Sequence, residues 1–247
     1  MNTRILRAGL AALTAATVLL SGCGTPRSTQ PSGVPASSAP ADNGVTALTA
    51  DEIMAKATDA LAWAGSYRIT ATDFKTDVDE TMSMDIMVSG GDFSGRITIN
   101  KDAVLEILAV GGKKYIKAND AAWTTFVGAE KARTIIAVAG GRWMRAPDDD
   151  AMSGLFALGD IKEQLLKPEG LLGKGAFTQV GGTPAVIVTD SLTDMHLYVA
   201  TTGKPYPMRF HSASGDGDID LSDFGATFDA IVAPPADQVV VPPRQGS

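Results

Sequence analysis

The residue whose position most constrains the chemistry of this chain is Cys23, the single cysteine among 247 residues. It closes the stretch Leu20-Ser21-Gly22-Cys23, where small residues stand just before a thiol. Ahead of it lie an apolar run from Ala8 to Leu20 and two arginines, Arg4 and Arg7. A positive n-region, an apolar h-region and small residues at a cleavage site form an export signal. With a cysteine directly after the cut, the pattern is that of a bacterial lipobox. The thiol is expected to carry a diacylglyceryl group once a peptidase cuts before Cys23. The apolar run is roughly 13 residues, short of the ~20 that a membrane-spanning helix needs. One acyl chain holds a protein to a bilayer only marginally, whereas two hold it stably. A lipid anchor, with its palmitate-type acyl chains, is therefore the expected membrane attachment. Cys23 being alone, no disulfide can form within the chain.

Other residue groups invite chemistry and fail on spacing. Asp216-Gly217-Asp218-Ile219-Asp220 begins like a calcium loop, which requires Gly at its sixth position and Glu at its twelfth. Those positions hold Leu221 and Thr227, so an acidic hairpin turn is expected. His196 and His211 have no neighbouring cysteine and no HExxH spacing, and read as strand residues. Gly170-Leu171-Leu172-Gly173-Lys174-Gly175 fits neither a P-loop nor GxGxxG and reads as a loop. No serine sits in a GxSxG elbow. The sequence thus assigns no catalytic residue, no metal site and no cofactor, and an enzyme is not expected.

The formal net charge is −7, and becomes about −9 without Arg4 and Arg7. Such an acidic chain is a poor partner for nucleic acid and adheres poorly to anionic lipid by charge alone. From Cys23 onward the chain is long enough to build a substantial core. Gly24 to Gly44 is rich in Pro, Ser, Thr, Gly and Ala, and reads as a flexible tether with a root-mean-square reach of about 25 Å.

Thr49-Ala50-Asp51-Glu52 is a capping box. Ile53, Ala57, Ala60, Leu61 and Ala64 then recur at helical spacing, so a helix is expected from Ala50 to Ala64. Period-two alternation follows over Ser66 to Phe74, Thr81 to Ser89, Phe93 to Asn100, Ala103 to Val110 and Lys113 to Ala118, with Gly90-Gly91 and Gly111-Gly112 as tight turns. In that alternation Met82, Met84, Ile86 and Val88 share one face, and Ile97 and Ile99 share one face of the next strand. Trp123 to Phe126 leads into a helix over Ala129 to Ala139. Arg142 to Arg145 reads as a short extended piece. Asp148 to Asp150 would cap a helix containing Met152, Leu155 and Phe156, and Ile161 to Leu166 has helical character. Strand patterns return at Ala176 to Val180, Thr183 to Asp190, Met195 to Ala200, Pro207 to Ser214, Asp218 to Phe224 and Phe228 to Val232. Pro234-Pro235 is expected to end the sheet. Ten or more strands with few helices imply an α+β fold, its helices gathered on one face of an antiparallel sheet.

This layout resembles the actinobacterial LppX/LprAFG lipoproteins, which share a fold with the lipoprotein carrier LolA. The likeness runs from the lipobox and tether through the opening helix before SYRITATDF to Lys113-Lys114-Tyr115-Ile116-Lys117 and the Trp123 segment. It continues in Gly141-Arg142-Trp143, Leu197-Tyr198-Val199-Ala200, Lys204-Pro205-Tyr206-Pro207-Met208-Arg209 and Ala233-Pro234-Pro235, over most of residues 45–241. The resemblance implies a strongly curved antiparallel half-barrel with helices across its concave face and an apolar cavity between them. It further implies a lipid or glycolipid ligand in that cavity, a role in its transport and no catalytic residues. Met82, Met84, Ile86, Val88, Ile97, Ile99, Leu105 and Ile107 would then line the cavity. The bland alternative, that the same face is filled core, stays open.

The expected organisation is a lipoprotein signal peptide over 1–22, a lipidated cysteine and tether over 23–44, a lipid-binding domain over 45–241 and a loose tail over 242–247. The protein would be lipid-anchored on the extracytoplasmic face of the cell membrane, with an envelope transporter as its partner in lipid transport. A structural or sensory lipoprotein that engages a protein partner and carries no lipid is the competing expectation.

Overall fold

The computed structural model describes residues 41–76, 80–146, 153–193, 195–214 and 216–241. The chain enters along the sheet, where Asp42 bridges Thr202 and the Asn43 amide donates to the Thr201 carbonyl at 2.8 Å. A 3-10 turn over Val45–Ala47 leads to helix α1, Ala50–Ala64. Its capping box is formed: the Glu52 amide donates to the Thr49 hydroxyl, and the Thr49 amide to Glu52 Oε2 at 2.9 Å. Gly65 ends the helix in the left-handed conformation, φ 71°, which glycine adopts without a Cβ clash.

Twelve strands follow: β1 (Ser66–Lys75), β2 (Thr81–Ser89), β3 (Asp92–Ile99), β4 (Ala103–Val110), β5 (Lys113–Ala118), β6 (Trp143–Arg145), β7 (Leu172–Val180), β8 (Thr183–Asp190), β9 (Met195–Ala200), β10 (Pro207–Ser212), β11 (Asp218–Ser222) and β12 (Val239–Val240). They form one open, curved sheet in the order β12-β6-β5-β4-β3-β2-β1-β11-β10-β9-β8-β7. All neighbours are antiparallel except β12 and β6. Each hairpin is local, and the two blocks join where β1 pairs with β11, Ile69 opposite Leu221.

Strand alternation sorts the side chains into two faces. Toward the helices lie Tyr67, Ile69, Met84, Ile86, Phe93, Ile97, Leu105, Ile107, Ile116, Val186, Val188, Leu197, Val199, Phe210, Ile219 and Leu221, all buried. The outer face carries a register row of alternating charge, with Lys117 opposite Glu106, Glu106 opposite Arg96, and Arg96 opposite Asp85. Arg68 clasps Asp85 through two nitrogens, and Arg209 clasps Asp220 in the same way. Such pairs keep one side of the sheet wet while the other is dry, which holds strand register because a one-residue slip would exchange the faces.

The remaining helices are α2 (Asp120–Val127), α3 (Ala129–Ala139), α4 (Ser153–Ala157) and α5 (Ile161–Leu165). On the concave side, α1 covers β1, β7, β8 and β10, while α2 and α4 cover β4. Asn119 caps α2, its side chain accepting from the Ala122 amide at 2.9 Å.

Several sequence expectations need correction. The Trp123 segment is a separate capped helix. Leu172 to Gly175 belongs to strand β7, because its ladder with β8 outweighs the poor strand propensity of its two glycines. Residues 228 to 232 form turns and no strand. The sheet does not end at Pro234-Pro235, since β12 follows and pairs with β6, Val239 opposite Trp143. Asp148 to Asp150, Met152 and Cys23 lie outside the described residues.

Candidate functional site

The eight residues expected to line a cavity form one contiguous lattice on the concave face. Met82 faces Ile99, Met84 faces Ile97, Ile97 faces Leu105, and Ile86 and Ile107 stand on either side of Gly95. Gly95 is needed there: a Cβ on it would lie 2.8 Å from Ile86 Cγ1. Met84, Ile86, Val88, Ile97, Leu105 and Ile107 are buried in the core, and Met82 and Ile99 pack against it partly exposed. None of the eight reaches the wall of either cavity described below.

Helices α2 and α4 cover this lattice, with Trp123 and Phe156 buried in the core. Phe156 of α4 sits 6.1 Å from Phe93 of β3, ring to ring. Gly159, in the turn between α4 and α5, lies against the same ring so closely that a Cβ would come within 2.4 Å of it. Asp160 caps α5 by accepting from the Glu163 amide at 3.4 Å. Beneath the start of α5 is the buried Tyr67, a polar group in apolar surroundings. Burial and the nearby Asp160 carboxylate push its pKa up to about 12, while the Ile161 amide at its oxygen acts in the opposite direction.

The open space lies next door. Between α1, α5 and the concave face of β7 to β10 is a cavity of about 70 Å³, walled by Met54, Leu165, Leu172, Val188, Leu197 and Phe210. Its rim is polar, with Lys167, Glu169, Asp190 and Thr193. The Asp190 carboxylate accepts from the amides of Leu192 at 2.8 Å, Glu169 at 2.8 Å and Gly170 at 3.1 Å. Those bonds, Leu192 foremost, hold its pKa below the usual carboxylate range. Asp190 thereby ties the α5–β7 connection to the β8–β9 turn and shapes the mouth. Beside it Leu171 and Leu192 are 83% and 71% exposed. Sequence reading missed this mouth, although two leucines in glycine- and acid-rich connections were a signal.

A larger hollow of about 420 Å³ opens on the outer side of the sheet, at the opposite end of the strands. Ala200, Met208, Asp220 and Ser222 line it, together with Thr202, Lys204, Tyr206 and Phe224. Tyr206 and Phe224 stack at 4.0 Å.

The tempting polar groups take structural places. Asp218 and Asp220 face Arg209, and His211 Nδ1 lies 2.7 Å from Asp218 Oδ1 on the outer face. Asp216 accepts from Ser212 and Ser214 in the β10–β11 turn, which, Ser214 foremost, lowers its pKa. Among the described residues no three potential metal ligands cluster. No helix among them is long and apolar enough to cross a membrane.

No family model matches the chain, and no curated protein does. Solved structures do. The chain is similar to LprF from Mycobacterium bovis, at TM-score 0.45 and 12% identity, over 73% of this chain and 95% of that one. It is also similar to the Mycobacterium tuberculosis lipoprotein LppX, at TM-score 0.43 and 16% identity, over 70% and 93%. An uncharacterized conserved protein from Thermus thermophilus follows at TM-score 0.38 and 13% identity, over 78% and 99%.

Proposed function

We propose that this chain is a lipid-anchored, non-catalytic envelope protein that binds the acyl part of a lipid or glycolipid between its sheet and helices, as a step in that amphiphile's transport. The observation that carries the reading is the cavity between α1, α5 and the concave face, with apolar walls, a polar rim and exposed leucines at its mouth. At about 70 Å³ it has the volume of only about two waters in the liquid. An acyl chain therefore enters only if α5 shifts. Helices α4 and α5 have five residues each, too few to hold helical structure by themselves, so their place depends on packing against Phe93 and Tyr67. Displacing them would join the cavity to the lattice where Met82, Met84, Ile86, Val88, Ile97, Ile99, Leu105 and Ile107 would line the enlarged space. Methionine suits that duty, being unbranched and polarizable. Burial of acyl surface contributes about 25 cal/mol per Å², against the cost of ordering the ligand and moving the helices. An envelope transporter would supply or receive the cargo.

The tight packing of six of those eight residues favours a second reading, a structural or sensory lipoprotein with a protein partner and no cargo. Lipid extraction and mass spectrometry of the protein purified from membranes separates the two. Under the first reading one lipid class is recovered at near-stoichiometric yield, and Leu165→Trp, which plugs the cavity, abolishes the yield while leaving the melting temperature within a few degrees. Recovery of no lipid, with no uptake of a fluorescent fatty acid, overturns the first reading and leaves the second.

A further inference from the structure

The described chain begins beside one end of the sheet. Asp42 bridges Thr202, and the Asn43 side-chain amide donates to the Ala200 carbonyl at 3.0 Å. Whatever joins this domain to Cys23 must leave from the end formed by the β9–β10 connection. Helix α1 returns to the same end and terminates there. Its penultimate residue, Trp63, is 69% exposed, and the Lys204 ammonium lies 3.1 Å from the centre of the indole. Lys204 also lines the outer hollow with Tyr206.

Two other turns meet at this end. The Gly90 amide donates to the Gly65 carbonyl at 2.7 Å, which sets the β2–β3 turn beside the end of α1. The Gly111 amide donates to Asp92 Oδ1 at 3.0 Å, which sets the β4–β5 turn next in line. That turn presents Lys113 and Lys114, both exposed. Three acids share this end: Asp42, which accepts from Gly44, Asp92, which accepts from Gly111, and Asp223, 3.7 Å from Arg68. The opposite end holds Glu80, Asp102, Asp120, Glu169, Asp190 and Asp216 against the exposed Lys75, Lys101 and Lys167. The end where the connection to Cys23 departs is thus the less acidic one, with an exposed tryptophan and a half-buried tyrosine beside its lysines.

Indole and phenol rings favour the membrane–water boundary, and lysines near an anionic leaflet are attracted to it. We propose that this end, Trp63 with Lys204, Tyr206, Lys113 and Lys114, rests on the bilayer that carries the chain's own anchor. The cavity mouth at Asp190 lies at the far end of the strands and of α1, a helix about 22 Å long. In this pose the mouth faces away from the anchoring membrane, and bound cargo is offered outward. The proposal rests on anchoring at Cys23.

The single thiol allows a test that supplies the anchor chemically, on protein made without lipidation so that Cys23 keeps a free thiol. Protein spanning residues 23–247, made without lipidation, is coupled through Cys23 to maleimide-headgroup lipid in phosphatidylcholine–phosphatidylglycerol vesicles carrying a doxyl quencher near the glycerol. Tryptophan emission is compared with that of Trp63→Phe, the difference being the Trp63 signal. That signal should fall about two-fold on doxyl vesicles, as for an indole at the interface. It should recover when Lys113, Lys114 and Lys204 are changed to glutamate. In the Trp63→Phe background, a Leu192→Trp reporter at the mouth should stay unquenched. An unquenched Trp63, or a quenched Leu192→Trp reporter, overturns the proposal. The mass of the protein isolated from membranes tests the anchor separately: an unmodified Cys23 would overturn lipidation without altering the result on coupled vesicles.

Discussion

Tyr67 places a hydroxyl under the first turn of α5, and its ionisation reports how firmly that turn is seated. Below pH 10 the phenol is neutral whether the chain is folded or not. Above it the unfolded chain ionises first, because its ordinary value is 10.0 and the folded value is about 12. The contribution is complete below the unfolded pKa and is lost as pH rises from 10 toward 12, a fall of about 2–3 kcal/mol at most. Tyr67→Phe should flatten the decline in the urea midpoint over that range. Parallel profiles for the two proteins would mean that the hydroxyl is not shielded beneath α5. Asp190 acts at the same scale, as three converging amides make one carboxylate the clasp of the cavity mouth.

Under the proposed function, the element that decides access is the α4–α5 pair. Two one-turn helices cannot stand alone, so their position is set by Phe156 on Phe93 and by the close seat of Gly159 on the same ring. Replacing Gly159 by Ala puts a methyl where the Phe93 ring stands. Overpacking of this kind costs about 1–3 kcal/mol, and the short turn should yield before the sheet does. Amide hydrogen exchange over residues 153–166 should rise several-fold in Gly159→Ala, while β2 to β4 stay protected. Equal exchange in both proteins would show that the turn is held by something other than Phe93. Helix α1 is better anchored, since it has a capping box at one end, a glycine stop at the other and Ile53, Ala57 and Leu61 in the core.

At the scale of the whole molecule, the proposed location rests on Cys23. Cys23→Ala should leave the protein unprocessed or shed into the medium, read as a mass shift and a loss of membrane partition. A variant that still migrates and partitions as the wild type does would refute the lipobox reading.

Local pattern made much of the sheet legible. The Thr49–Glu52 box and Gly65 bound α1, and the glycine pairs at 90–91, 111–112 and 181–182 mark hairpins whose register follows from strand alternation. These features are decided within a few residues by capping bonds, by tolerance of positive φ and by a two-residue period. Helix α2 escaped because its cap, Asn119, directly follows a strand. The strand at 228–232 was wrongly expected because alternation there finds no partner ladder. Strand β12 was missed because two valines gain strand character only by pairing with β6, about a hundred residues earlier. The join of β1 to β11 is likewise non-local. Met84, Ile86 and Leu105 could be placed on one face from sequence, but alternation is identical for a packed wall and a hollow one. Helices brought from distant parts of the chain decide that. Here they fill the space over β2 to β4 and leave the opening over β7 to β10. Side-chain periodicity is a local property, whereas the volume between two layers depends on how they dock.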